Sequence, residues 1–285
     1  MSWAKELWDE LRRPLLAVTC VVLGLVLALA VLSAVNGMWP PLLAVESKSM
    51  QHSDDTSQVG IIDTGDVVVG RAAGDGEVRT YMGSIADGYS SFGSYGDVVI
   101  FQPEGGGIPV VHRAILELVY TGHGTFDIPE LAGVPGYLWA APGADGRWWD
   151  LNDTVELFQV GYAHAAVRID LEAMLMSMEG APHGGLVTMG DNNWFEVGGK
   201  RIGSIDQGAL VSGPVPWDSV IGKVVGEVPW IGSLRLWLTG TAPDYLPVNS
   251  IAGLIAAIGL IAALPLSIWA MASFAERRGR NGRNG

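Results

Sequence analysis

The chain is poor in cysteine, histidine and lysine. Its 285 residues include one cysteine, Cys20, which lies inside an apolar run. No internal disulfide can form, and neither can a cysteine-ligated zinc site. Five histidines, His52, His112, His123, His164 and His183, confine imidazole chemistry to a few positions. Basic residues are scarce between residues 37 and 247, where 10 Lys/Arg stand against 26 Asp/Glu. A region this acidic repels phosphate backbones, which argues against a nucleic-acid partner. Its composition resembles that of salt-adapted, halophilic proteins, whose surface carboxylates hold water and cations. An ordinary acidic exported domain is the plainer alternative. Repeats of the solenoid kind are also lacking.

Charge is missing altogether from two long stretches, Pro14–Asn36 and Ile251–Phe274. This segregation is how a net charge of −13 coexists with a mean hydropathy of +0.30. Leu15–Val35 is apolar all round, and a bilayer core needs about 20 such residues in a helix. A cleavable signal peptide is the competing reading. The run is long for that, and a second apolar run exists. In the second, Pro265 is tolerable because neighbouring groups in a membrane re-satisfy a freed carbonyl. Lys5, Arg12 and Arg13 precede the first run, while Arg277, Arg278, Arg280 and Arg283 follow the second. The positive-inside rule then places both termini in the cytoplasm. The expected layout is a cytoplasmic N-terminus (1–13), a transmembrane helix (14–36), an extracytoplasmic domain (37–247), a second transmembrane helix (248–274) and a basic cytoplasmic tail (275–285). Such a chain is a multi-pass protein of the plasma membrane.

Within 37–247, short β-branched runs alternate with Gly/Pro turns. Gly65-Asp66-Val67-Val68-Val69 and Gly96-Asp97-Val98-Val99-Ile100 each read as a turn feeding a strand, and Pro103–Gly107 reads as a hairpin turn into Ile108–Ile115. Leu186–Met189 and Val220–Val225 read as further strands. Ala72–Tyr95 reads as a long surface loop. Gly122–Gly185 reads as a loop-rich insertion, within which Ala165–Glu179 suits one short helix. The expected fold is mainly β, a sandwich or barrel-like domain between two membrane helices.

Several polar residues carry chemical interest. Ser47 and Ser49 sit in the short polar stretch Val45–Ser53, just beyond the first apolar run. A serine hydrolase needs a base, an orienting group and oxyanion donors. Read alone, serines also cap helices and fill turns. His112 interrupts the apolar Val110-Val111, and a lone histidine there is ordinarily a hydrogen-bonded structural residue. His52, His123 and His183 fall in turn-like stretches that suit solvated side chains. Gly190-Asp191-Asn192-Asn193 suits a β-turn, and it lacks the spacing of an EF-hand calcium loop. Lys48 is too close in sequence to Ser49 to serve readily as its base.

Taken in order, these blocks resemble signal peptidase I, in its archaeal and endoplasmic-reticulum branch. A membrane helix is followed by Ser47-Lys48-Ser49-Met50, then by two Gly-Asp-hydrophobic strands, then by His112-Arg113, then by Gly190-Asp191-Asn192-Asn193 and a downstream Asp. The resemblance implies Ser49 as nucleophile and His112 as general base in place of the bacterial lysine. It implies Asp206 as the residue orienting the imidazole, Asp191 as a second supporting carboxylate and Ser47 as an oxyanion donor. His52 stands where the family has proline. Glu196 competes with Asp206, which fits the pattern if Val197–Ile205 is an insertion. The implied activity is a membrane-bound serine endopeptidase that removes signal peptides after small, Ala-x-Ala-like residues, without metal or cofactor. Its implied partners are signal peptides of exported preproteins and the bilayer, with the protein-export channel as a further candidate. Two alternatives stand beside it: a related peptidase with a narrower substrate set, and a non-catalytic acidic β-domain that binds a partner or cations.

Overall fold

The computed structural model describes residues 2–178, 180–208, 211–260 and Ala263. Helix α1 (Ser2–Asn36) opens the chain. Gly37 ends it, at φ 66°, by returning its N–H to the Ser33 carbonyl at 2.8 Å. Val18–Asn36 is long and apolar enough to cross a membrane, and large side chains such as Leu23, Leu25 and Leu27 are exposed along it.

The body that follows is mainly β. Its strands are β1 (Leu42–Ala44), β2 (Val67–Arg71), β3 (Ser90–Ser91), β4 (Ser94–Tyr95), β5 (Val98–Phe101), β6 (Val110–Tyr120) and β7 (Phe126–Asp127), then β8 (Trp139–Ala140), β9 (Thr154–Val160), β10 (Ala165–Asp170), β11 (Gly185–Met189), β12 (Trp194–Val197), β13 (Lys200–Gly203) and β14 (Val220–Val228). They form a seven-stranded sheet in the order β1-β2-β14-β5-β6-β11, with β7 also on β6. A five-stranded sheet runs β12-β13-β10-β9-β8, and β3 and β4 make a two-stranded ribbon. Pairing is antiparallel except between β10 and β13.

Strand β5 explains the layering. It is buried on both faces, and alternate side chains enter different clusters. Val98 and Ile100 join Met38, Val45 and Met50, whereas Val99 and Phe101 join Ala114, Leu186 and Val220. A third and largest cluster lies between the two big sheets. It takes Ile115, Leu116 and Leu118 from β6 and Val187 from β11, and it takes Val155, Leu157, Val167 and Ile169 from β9 and β10. Each such side chain, fully buried, contributes about 1.5–3 kcal/mol. The cluster ties the region 122–185 to the sheet that carries His112.

Two expectations need correction. Ala165–Glu179 is not one helix: Ala165–Asp170 is strand β10, and only Leu171–Ser177 is helical (α3). Asp170 makes the break, because its carboxylate caps α3 by accepting the Ala173 N–H at 2.9 Å. Glu179 itself lies outside the described residues. Ala72–Tyr95 is not merely a surface loop. It holds the one-turn helix α2 (Tyr81–Ser84), whose Tyr81 and Met82 are buried, and the β3–β4 ribbon. Near the end of the body comes α4 (Ile231–Leu238). Beyond it, the described part of the expected second span is the apolar helix α5 (Val248–Leu260). The rest of 248–274 apart from Ala263, together with 275–285, lies outside the described residues.

Candidate active site

His112 and Arg113 are neighbours on β6, so their side chains leave opposite faces of the strand. Strand β5 pairs with one edge at His112 (Val99↔His112) and β11 with the other at Arg113 (Met189↔Arg113). This fixes both backbones. Each side chain then meets its own carboxylate. His112 Nδ1 lies 2.7 Å from Asp206 Oδ2. Arg113 donates through Nε to Asp191 Oδ1 and through Nη2 to Asp191 Oδ2, both at 2.7 Å.

The other ring nitrogen, His112 Nε2, lies 2.8 Å from Ser49 Oγ. A hydroxyl, an imidazole and a carboxylate are therefore joined in one chain of hydrogen bonds. His112 and Asp206 are 7% and 3% exposed. Asp206 Oδ2 also accepts the Thr188 hydroxyl at 2.7 Å, and the Asp206 N–H reaches the Thr188 carbonyl at 2.9 Å. Thr188 pairs with Ala114, two residues from His112 and on the same face of β6. With two donors to it, the carboxylate is held in one orientation, and it fixes the imidazole tautomer in which Nδ1 carries the proton and Nε2 faces Ser49.

Asp206 reaches the site although it is far from Asn193 in sequence. Strands β12 and β13 form a hairpin whose base is closed by the Ser204 N–H to the Asn193 carbonyl at 2.7 Å. The chain thus leaves and rejoins the site at adjacent points. Glu196 is carried outward on β12 and is exposed, so Asp206 and not Glu196 contacts His112.

The turn that carries Ser49 is held from behind. The Asn192 N–H donates to the Ser49 carbonyl at 2.7 Å, and Asn192 Nδ2 to the Lys48 carbonyl at 3.1 Å. Gly190 packs so closely that a Cβ there would stand 2.6 Å from the Ser49 carbonyl oxygen and 2.9 Å from Ser49 Cβ. Ser47 Oγ lies 3.1 Å from Ser49 Oγ. Lys48 turns its Nζ to Asp54 at 3.5 Å. Lys223 pairs with Asp97 and the Glu77 carbonyl, and Lys200 sits on β13. None of the three contacts Ser49.

Asp191 stands beside the site and bonds to other partners than His112. Its oxygens are taken by Arg113 and by His52, whose Nε2 lies 3.1 Å from Asp191 Oδ2. Burial opposes its ionisation, but the Arg113 guanidinium, and then His52, outweigh burial and hold its carboxyl below the usual carboxylate range. Asp191 is a buried structural anchor beside the site. Nor is His52 a solvated turn residue: its ring stacks on Tyr162 with centroids 3.9 Å apart. Sequence reasoning missed Thr188 and Tyr162, and it gave no role to Asn192 and Arg113 beyond their places in the Gly190–Asn193 and His112-Arg113 blocks. Arg113 carried a signal, since it interrupts the apolar run Val110–Leu116, and a guanidinium buried in such a strand requires a carboxylate partner.

A cleft of about 370 Å³ opens beside Ser49 and His112. Ala44, which ends β1, and Val45 after it line the cleft together with Met50, Ile108 and Val111. Such a site sets a hydroxyl, hydrogen-bonded to an imidazole, at the edge of an apolar groove. Among the described residues, no group of three His, Cys, Asp or Glu side chains is placed to hold a metal ion. No protein-family model matches the chain, and no curated protein matches it either.

Proposed function

We propose that the chain is a membrane-anchored serine endopeptidase that cleaves signal peptides from exported preproteins after small residues. The observation that carries this reading is the hydrogen-bonded chain Ser49–His112–Asp206, set beside an apolar cleft. Its position supports the substrate. Ser49 lies 13 residues beyond the end of α1 at Asn36. A signal peptide places its apolar run in the bilayer and its scissile bond near the surface. An extended peptide entering the cleft would lie beside β1, an edge strand of its sheet, where strand addition supplies backbone hydrogen bonds. Val45, Met50, Ile108 and Val111 narrow the space for side chains flanking the bond, which favours alanine-sized residues.

In the proposed reaction His112 Nε2 takes the Ser49 Oγ proton as Oγ attacks the scissile carbonyl carbon. Asp206 stabilises the imidazolium that forms. The oxyanion is met by the Ser49 N–H and the Ser47 hydroxyl, with Ser47 already beside the reacting oxygen. His112 then protonates the leaving amine, releasing the mature N-terminus. Water, deprotonated by the same imidazole, hydrolyses the acyl-serine and frees the signal peptide. Both termini in the cytoplasm and the catalytic body on the outer face complete the proposed placement, with a second span over 248–274.

The full-length protein in detergent or liposomes is to be mixed with a preprotein bearing an Ala-x-Ala site, alongside Ser49→Ala and His112→Ala. The expected result is a mature product from the wild type alone. Full cleavage by either variant would reject the catalytic pair.

A further inference from the structure

We propose that Tyr162, in the turn between β9 and β10 of the five-stranded sheet, is a positioning residue that fixes the nucleophile turn. The inference rests on the reading of Ser49 as nucleophile and adds a part of the molecule to it. Tyr162 is partly buried and holds the turn at two points. Its ring stacks face to face on His52, three residues after Ser49, at 3.9 Å and 21° between planes. Its hydroxyl donates to Asn192 Oδ1 at 3.0 Å and accepts from Trp194 Nε1 at 3.1 Å.

The hydroxyl contact decides how the Asn192 amide faces. With Oδ1 taken by Tyr162, Nδ2 is turned to the Lys48 carbonyl, while the Asn192 N–H holds the Ser49 carbonyl. A flipped amide would set two oxygens against each other at Lys48. The ring contact acts from the other side. His52 occupies the place where the resemblance leads one to expect a proline. A proline restrains its own φ, but a histidine does not. Here the restraint comes from outside, through the Tyr162 stack and the His52–Asp191 contact at 3.1 Å. Burial pushes the Tyr162 phenol up from its ordinary value, so it remains a donor across neutral pH. Tyr162 hydrogen-bonds to neither Ser49 nor His112 and transfers no proton in the reaction. It acts on where Ser49 Oγ stands, and a displacement of about 1 Å in a reacting group can cost about 10²-fold in rate.

The test compares wild type, Tyr162→Phe, Tyr162→Ala and the double variant Tyr162→Ala/His52→Pro, all full length. Preprotein cleavage gives kcat and KM, and labelling by a serine-directed acylating probe gives a second rate. Phe keeps the ring and its packing and removes only the hydroxyl, so it tests the amide contact in a folded protein. The expected loss is about 10-fold in kcat for Phe and about 10²-fold for Ala, with KM within about 2-fold of wild type. Labelling slows in parallel. In the double variant the proline restores part of kcat, a recovery that a merely structural role for Tyr162 does not predict. If wild type cleaves and labels while Tyr162→Phe matches it in both, the positioning role is overturned and the peptidase reading stands. If wild type neither cleaves nor labels, the peptidase reading falls, and this inference falls with it.

Discussion

His112 sits inside β6, with strands paired on both sides. Tyr162 sits in a turn at the end of β9, in the other large sheet. The first residue touches the Ser49 hydroxyl, and the second reaches it only through Asn192 and His52. The same division runs through the whole site. Ser47, Ser49, His112, Thr188 and Asp206 lie on the seven-stranded sheet or on loops anchored to it. The five-stranded sheet supplies bulk, through the shared cluster around Leu116 and Leu157, and supplies one clamp. Strand pairing fixes backbones well, but a side chain in a turn, such as Ser49, needs support from a second direction. Changes in the first sheet should therefore alter rate at nearly constant stability, and changes in the core of the second should do the reverse.

The largest effect is expected from Asp206→Asn. An amide in place of the carboxylate favours the wrong imidazole tautomer, and kcat should fall by about 10³–10⁴ with the thermal midpoint little changed. Steady-state cleavage with a parallel melt checks both halves. Ser47→Ala removes a proposed oxyanion donor and should lower kcat by about 10²–10³, with KM nearly unchanged. From the second sheet, Leu157→Ala should destabilise the protein by about 2–5 kcal/mol, read from denaturant unfolding, while the folded fraction keeps most of its kcat. A catalytic loss as large as that of Ser47→Ala would break the division.

The smallest effect is a pH dependence of stability that is independent of the triad. Burial, with the charges of Asp63 and Glu227 acting in the same sense, pushes Asp66 up to about 7 from an ordinary 3.8. Two backbone N–H groups, from Trp230 and Asp63, oppose the shift. Between those two values the folded state holds a proton that the unfolded state has lost. Stability therefore falls as pH rises through that window and levels off above it. Asp66→Asn should make the decline shallower, as read from urea midpoints at about pH 5 and about pH 8 at fixed salt. Glu130, also raised to about 7 by burial, keeps some of the slope.

How much of this was legible in the sequence depended on how local each signal was. The strands Val67–Arg71 and Val98–Phe101 were readable because β-branched runs follow Gly-Asp turns. β3 and β4 have two residues each, too few for any period to show. Ala165–Asp170 resembled helix because its alanines mask the alternation and Asp170 reads equally well as a strand end or a helix cap. The pairing of Ser49 with His112 followed from the order of blocks. The choice between Asp206 and Glu196 did not, because the hairpin Trp194–Gly203 loops away and back, so distance along the chain says nothing about distance in space. Tyr162 was out of reach for the same reason. Nothing in its local sequence points to His52, 110 residues earlier.

Ser49 is proposed as a nucleophile activated by His112. The most direct measurement is site-resolved mass spectrometry after treatment of the full-length protein with a serine-directed acylating probe. The account predicts one adduct, on the peptide containing Ser49, formed fast in wild type and barely in His112→Ala. An unmodified Ser49 in a protein that still cleaves a preprotein, or labelling of Ser49 at the same rate without His112, would contradict it.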